Sequence, residues 1–241
     1  MSDGLLLYGR NVLKEAILAK APISKIFVET HTSFEFVRGL QNFDETSAEL
    51  LEGIPRECQK ESHQGIAFLC SHPFYTRYDF NRLKKHRLVL LCNHLEDVHN
   101  LGSIARSAAA FGASLIVHED HGSAQLTPAV VKASAGCAFR VKFMKLPDLH
   151  RAFQSLRKAE FKIFGLDGSR SRPSLPLSEF QSSFPCALVL GSEAEGVEGS
   201  LLEKCDALIR VEMTETVDSL NVSHAAAIVL HQIFQQSQLS T

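Results

Sequence analysis

The chain has 241 residues, 45% hydrophobic and 22% charged, ordinary proportions for a globular protein with a buried core, which excludes extended disorder. No apolar run approaches the roughly 20 residues that a membrane span needs, and the opening MSDGLLLYGRN has neither a basic start nor a long apolar stretch, so no secretory signal is expected. A net charge of −2 argues against a surface that is basic throughout, so any nucleic-acid partner requires positive charge gathered on one face.

From the N-terminus, Tyr8 to Lys20 carries apolar residues at Val12, Leu13, Ala16 and Ile17, a helical spacing, and Pro22 lies just past its end. KIFVE, beginning at Lys25, reads as a strand, Leu50–Leu51 as part of a second short helix, and Gly65 to Cys70 as another strand. These elements define a small α/β domain over residues 1–72. Residues 73–87, with Pro73, aromatic residues and the bases Arg77, Arg82, Lys84, Lys85 and Arg87, read as a linker whose default state is a solvated basic face.

From Leu88 the texture changes. LVLLC, SLIVH, FRVKF, FKIFGL, CALVLG and ALIRV are short apolar or β-branched runs separated by helix-like segments, among them one opened by Thr127-Pro128 with Gly136 as its stop. This alternation predicts a mostly parallel sheet covered on both faces, over residues 88–241. The six cysteines, Cys58, Cys70, Cys92, Cys137, Cys186 and Cys205, form no C-x-x-C and read as small buried hydrophobes in a reducing cytoplasm. His118 and His121 stand three apart after a strand with no further ligand in sight, so no metal site is expected.

Three segments follow predicted strands, where open α/β sheets bind their ligands. The first runs from Asn100 to Gly112 and enters a helix; Asn100 and Arg106 are candidates to face one ligand, against the alternative of a helix cap with an exposed arginine. The second, Leu190 to Gly199, is an acidic glycine loop without the spacing of a dinucleotide fingerprint or the lysine of a phosphate loop. It suits a cationic or hydroxyl-bearing ligand, or else is a solvated turn. The third, Val211 to Asn221, precedes a helix from Val222 to about Gln235; Ser219 and Asn221 stand at its cap and flank Leu220.

Taken in order, N-x-G-x-x-x-R-S-A, G-S-E-x-E-G and S-L-N-V-S, with LTPAVVKASAG between the first two, resemble the motifs of the SpoU (TrmH-like) RNA methyltransferases of the SPOUT superfamily. Tyr8-Gly9 and His63-Gln64-Gly65 resemble the small RNA-binding domain, similar to a ribosomal protein fold, that precedes many such catalytic domains. The resemblance implies an α/β trefoil-knot domain with a parallel sheet, a homodimer formed through that domain, and transfer of methyl from S-adenosylmethionine to a ribose 2′-hydroxyl of RNA, rRNA before tRNA. Carried over by position, Gly191, Val211, Leu220 and, more loosely, Leu166 contact the cofactor. Arg106 acts at the reacting centre, as base or as orienting group, with Asn100, Glu193, Ser219 and Asn221 around it.

With the family in view, Arg10, Arg82, Lys84, Lys85, Lys132 and Arg140 become candidate RNA contacts, and Arg170 with them. Glu212 and Glu215 stand where the third motif commonly has proline and glycine, Ala194 where glycine is frequent, and His224 where an apolar residue is usual. A non-catalytic RNA-binding protein on the same fold and a base methyltransferase of another SPOUT branch are the competing readings.

Overall fold

The computed structural model describes residues 4–43, 48–79, 83–169, 172–217 and 219–239; Arg82 and Arg170 lie outside the described residues. The chain opens with β1 (Leu5–Tyr8), α1 (Arg10–Leu18), β2 (Ile23–Val28), α2 (His31–Arg38), β3 (Glu49–Glu52) and β4 (Ile66–Cys70). The four strands form one sheet in the order β1-β4-β2-β3, with β4 antiparallel to both its neighbours and β2 parallel to β3. The period read from the sequence forms α1, which buries Val12, Leu13, Ala16 and Ile17. Leu50 and Leu51, expected in a helix, instead lie in β3. Two apolar residues between Glu49 and Glu52 carry no helical period, and pairing of Ile26 with Leu50 and Phe27 with Leu51 decides the conformation.

The second sheet is built from β5 (Leu88–Cys92), α3 (Val98–Ala110), β6 (Leu115–Glu119), α4 (Pro128–Ala133), β7 (Lys142–Leu146), α5 (Leu149–Lys158), β8 (Lys162–Leu166), β9 (Leu175–Pro176), β10 (Cys186–Leu190), α6 (Gly199–Leu202), β11 (Ala207–Arg210) and α7 (Val222–Leu239). Its seven strands are all parallel, in the order β7-β6-β5-β10-β8-β11-β9. LVLLC and CALVL are buried at every position, as continuous apolar runs must be when helices cover both faces. Along them alternate residues enter two cores: Leu90 and Leu188 one, Val89, Leu91 and Val189 the other. FRVKF enters its strand late, because Phe139 and Arg140 belong to a 3-10 turn that precedes Lys142.

The first of those cores also contains Leu7, Leu13, Ile26 and Phe68 of the small sheet, so the two sheets share one apolar interior. Close approach is allowed at Gly136, where φ is +88° and a Cβ would lie 2.7 Å from Cβ of Glu15. Arg140 Nε meets Glu15 Oε2 at 2.6 Å across the same seam, and Lys132 Nζ donates to Gln64 Oε1 at 3.3 Å. The segment expected to be a solvated linker begins as an added edge: Phe143 N donates to Phe74 O at 3.0 Å, Thr76 N donates to Phe143 O at 2.8 Å, and Phe74 is buried. Covering the outer edge of β7 in this way also removes an exposed strand edge. All six cysteines are free, and burial pushes the thiols of Cys92 and Cys186 up to about 12, which leaves them inert at neutral pH.

The glycine of the first motif owes its place to packing. Gly102 lies inside α3 against α4, where a Cβ would overlap that of Ala133 and come within 2.9 Å of Val130 O. Thr127 caps α4 by accepting from Val130 N, and Pro128 opens it, as expected. Gly102→Ala would gain about 1 kcal/mol in helix propensity but lose about 1–3 kcal/mol to overpacking. Urea unfolding is therefore expected to show a net loss of stability, with the midpoint lowered.

Candidate functional site

The carboxyl ends of β10, β8 and β11 lie side by side, and the loops leaving them enclose a cavity of about 390 Å³. This is the size and position of a small-molecule site in an open parallel sheet. Leu166 to Ser169 line it after β8, Gly191 to Gly196 after β10, Val211 and Met213 after β11, and Ser219, Leu220 and Val222 at the entry to α7. All four residues expected to contact a cofactor, Leu166, Gly191, Val211 and Leu220, are brought to this one cavity. Gly191 can only be glycine here, because a Cβ would overlap the backbone of Gly196. The tight turn behind that approach is closed by Ser192 N to Gly196 O at 3.1 Å and Gly196 N to Ser192 O at 3.0 Å.

At the edge of the cavity three side chains meet, one from the first turn of α3, one from the acidic loop and one from the entry to α7. Asn100 Nδ2 donates to Glu193 Oε1 at 2.6 Å, and Asn221 Nδ2 donates to the same oxygen at 2.5 Å and to Asn100 Oδ1 at 3.0 Å. The other end of the Asn221 amide is committed as well: Oδ1 accepts from Ser223 N at 2.9 Å and from Ser223 Oγ at 2.6 Å. Asn221 thus caps α7, as its place before Val222 led one to expect, and reaches the acidic loop at once. Asn100 is buried in the first turn of α3, which begins at Val98 behind the Asp97 cap. Glu193 also lines a second cleft of about 660 Å³, walled by Asn100 and the stretch His94 to Asp97. The three-residue cluster therefore stands between two openings.

Arg106 is not part of that cluster within one chain. Six residues beyond Asn100, it lies about 9 Å further along α3 and about 120° around it. It is exposed and makes no hydrogen bond or ion pair among the described residues. Ser219 is exposed at the cavity wall. Among the basic candidates, Arg10 donates from Nε to Gln64 O at 3.2 Å and stacks 5.0 Å over Phe36, while Lys84 and Lys85 are exposed just before β5. Lys132 and Arg140 lie at the seam between the two sheets, engaged with Gln64 and Glu15.

Two features escaped the reading of the sequence. Buried Glu119, at the end of β6, accepts from Asn93 Nδ2 at 3.0 Å and from His94 N at 2.8 Å, and Asn93 Oδ1 accepts from Glu198 N at 2.8 Å. This relay anchors the far end of the acidic loop to the sheet; a polar residue directly after each of two buried strands was its only signal. Asp167 is the other, buried in the cavity wall with Oδ1 accepting from Ser169 N at 2.9 Å while Oδ2 takes no hydrogen bond among the described residues. Exposed Arg172 places Nη1 3.8 Å from Oδ2. Glu195, the second glutamate of the acidic motif, and Met213 also line the wall, though neither was singled out as a contact.

The unusual motif residues are accommodated. Glu212 accepts from the backbone N and Oγ of Ser178, which ties the exit of β11 to the turn after β9 and holds its carboxyl below the usual carboxylate range. Glu215, Ala194 and His224 are exposed. His118 faces away from any metal arrangement: Nε2 accepts from the Tyr75 hydroxyl at 3.2 Å, Nδ1 donates to Glu119 O at 3.0 Å, and burial lowers its pKa. No group of three or more histidine, cysteine, aspartate or glutamate side chains among the described residues is placed to hold a metal ion.

A model of the SpoU rRNA methylase family matches residues 87–231, well over half the chain. The chain belongs to this family of RNA methyltransferases. A Staphylococcus saprophyticus protein of the TrmH family of tRNA/rRNA methyltransferases is 28% identical over 243 residues, spanning 97% of this chain and 96% of its own length. Among solved structures, the SpoU methyltransferase AviRb from Streptomyces viridochromogenes, in complex with AdoMet, superposes with a TM-score of 0.75 at 20% identity, covering 98% of this chain and 91% of its own. A crystal structure of an RNA 2′-O ribose methyltransferase superposes with a TM-score of 0.76 at 22% identity, covering 97% and 88%. The fold is that of the SpoU methyltransferases, small domain included, as the sequence resemblance implied.

Asn221→Asp tests the cluster. It sets a second carboxylate 2.5 Å from Glu193 Oε1, so the folded state raises the pKa of one of the two. A raised carboxyl pKa removes stability as pH rises above its unfolded value of about 4. The variant's melting temperature is expected to match the wild type best in acid and to fall behind it as pH rises, levelling off once both groups are ionised.

Proposed function

We propose that the protein transfers the methyl group of S-adenosylmethionine to a ribose 2′-hydroxyl of structured RNA, rRNA in the first place and tRNA in the second. The observation that carries this reading is the meeting of Asn100, Glu193 and Asn221 at the edge of a cavity lined by Leu166, Gly191, Val211 and Leu220. The residues fit the cofactor: apolar Leu166, Val211, Leu220 and Val222 suit an adenine ring, and the buried Oδ2 of Asp167 is an acceptor without a donor. The sulfonium supplies an already activated methyl group. What the chain must do is hold the acceptor ribose in line, exclude water and let a proton leave.

Glu193 and Asn100 line the cleft next to the cavity, so an acceptor ribose placed there meets their polar atoms within reach of the cofactor. Arg106 is assigned the neighbouring phosphate. A guanidinium with a pKa above ~12 is a poor base, and its exposure suits it to bind the phosphate and orient the hydroxyl, whose proton passes to that phosphate or to water. Since Arg106 is remote from the cluster in one chain, the site is completed in a homodimer. Exposed Ile228 and Phe234 on α7, next to Phe111 at the end of α3, support that face as the contact. RNA contacts are assigned to Arg10, Lys84, Lys85, Lys132 and Arg140, with rRNA favoured because the small domain adds a second surface for a folded substrate. Six free thiols agree with a cytoplasmic location, and no helix among the described residues is long and apolar enough to cross a membrane.

The test is incubation of the protein with radiolabelled S-adenosylmethionine and total RNA from a strain lacking the gene, followed by nucleoside separation. Label is expected in a 2′-O-methyl nucleoside, reduced about 10²–10³-fold by Arg106→Ala in keeping with loss of one charged positioning group. Label on a base would assign the protein to another SPOUT branch. Cofactor and RNA bound with no transfer to any RNA would favour the non-catalytic reading. For the dimer, light scattering after size exclusion is expected to give twice the chain mass for the wild type and a monomer for the Ile228→Glu, Phe234→Glu double variant.

A further inference from the structure

We infer that Asp167 holds the ribose hydroxyls of the bound cofactor, an assignment that rests on the cofactor reading of the cavity proposed above. The carboxylate is the deepest of those lining the cavity: Asp167 is 9% exposed, whereas Glu193 and Glu195 are exposed side chains. Its orientation is set by Ser169 N, which donates to Oδ1 at 2.9 Å. Among the described residues Oδ2 accepts no hydrogen bond, and Arg172 Nη1 at 3.8 Å is beyond hydrogen-bonding reach. A buried carboxylate oxygen without a donor is costly, so a ligand hydroxyl brought to it gains more there than at a solvated group.

The order of groups along the cofactor selects which donor arrives. Adenine takes the apolar wall of Leu166, Val211, Leu220 and Val222. The reactive methyl has to face the side where Glu193 meets Asn100 and Asn221. The ribose links these two parts, and Asp167 directly follows Leu166 at the carboxyl end of β8, where the apolar wall ends. A carboxylate just past a parallel strand that accepts from ribose hydroxyls is the solution dinucleotide-binding sheets reach on a different topology. Glu193 Oε1 already takes the amides of Asn100 and Asn221 on the side that the methyl has to face.

Calorimetric titration of the wild type, Asp167→Ala and Asp167→Asn tests the assignment with three probes: S-adenosylhomocysteine, 5′-methylthioadenosine, and the 2′,3′-dideoxy form of methylthioadenosine. Asp167→Ala is expected to weaken the first two by roughly 10- to 100-fold, the range for a hydrogen bond to a charged group. Asp167→Asn, which keeps the shape and one acceptor oxygen, is expected to weaken them less. The dideoxy probe should bind the wild type and the alanine variant equally. Wild-type affinity of Asp167→Ala for methylthioadenosine overturns the assignment, and so does a loss confined to S-adenosylhomocysteine, which would move the contact to the amino-acid arm. Failure of the wild type to bind any probe overturns the cofactor reading itself. Melting curves without ligand accompany each titration, and should the alanine variant be unfolded, equal affinities of Asp167→Asn and wild type for methylthioadenosine still overturn the assignment.

Discussion

Glu193 Oε1 receives two amide N–H groups, one from Asn100 at the start of α3 and one from Asn221 at the start of α7. These residues are 93 and 28 positions away along the chain, so one oxygen joins the entries of two helices to the loop after the central strand β10. The joint is demanding because each partner has a second obligation. Asn100 Oδ1 must accept from Asn221, and Asn221 Oδ1 must accept from Ser223. An amide reversed at either position would set like groups against each other. The cavity wall and the neighbouring cleft both inherit their shape from this closure, since the same loop lines both.

Behind that closure stands the parallel sheet. With β10 between β5 and β8, and β11 beyond β8, the loops that line the cavity leave from the same edge of the sheet. Burial of every position in β5 and β10 makes their register stiff, and the Glu119–Asn93–Glu198 relay transmits that register to the far end of the acidic loop. A glutamate buried to this degree is stable because both of its oxygens are hydrogen-bonded, Oε2 also accepting from Ser123 Oγ at 3.2 Å.

The parallel strands were legible because an apolar run buried on both faces reads as itself, and the cavity wall because Gly191, Val211 and Leu220 belong to the two motifs that follow such runs. Leu50–Leu51 was misread because two residues carry no period and only their partners in β2 distinguish strand from helix. Asp167 was missed for a different reason. A lone aspartate after a strand looks like any loop residue until its burial and its unpaired oxygen are seen. The position of Arg106 was hidden as well, because spacing of six along a chain gives no angle until the helix is known to begin before Asn100. Net charge was the least informative quantity, since RNA methyltransferase membership and a total of −2 coexist in this chain.

The apolar interior shared by the two sheets makes the small domain a fixed arm instead of a tethered one. Leu7, Leu13, Ile26 and Phe68 lie in the same core as Leu90 and Leu188, and the seam is narrow enough that Gly136 admits no side chain against Glu15. An arm on a flexible tether would let a bound RNA offer many riboses in turn. With the arm welded to the sheet, the span from Arg10 on the small sheet to the Asn100–Glu193–Asn221 cluster is constant. A fixed span of this kind is a ruler: whatever folded molecule is held at one end would meet the cluster at a set distance from the point where it is held.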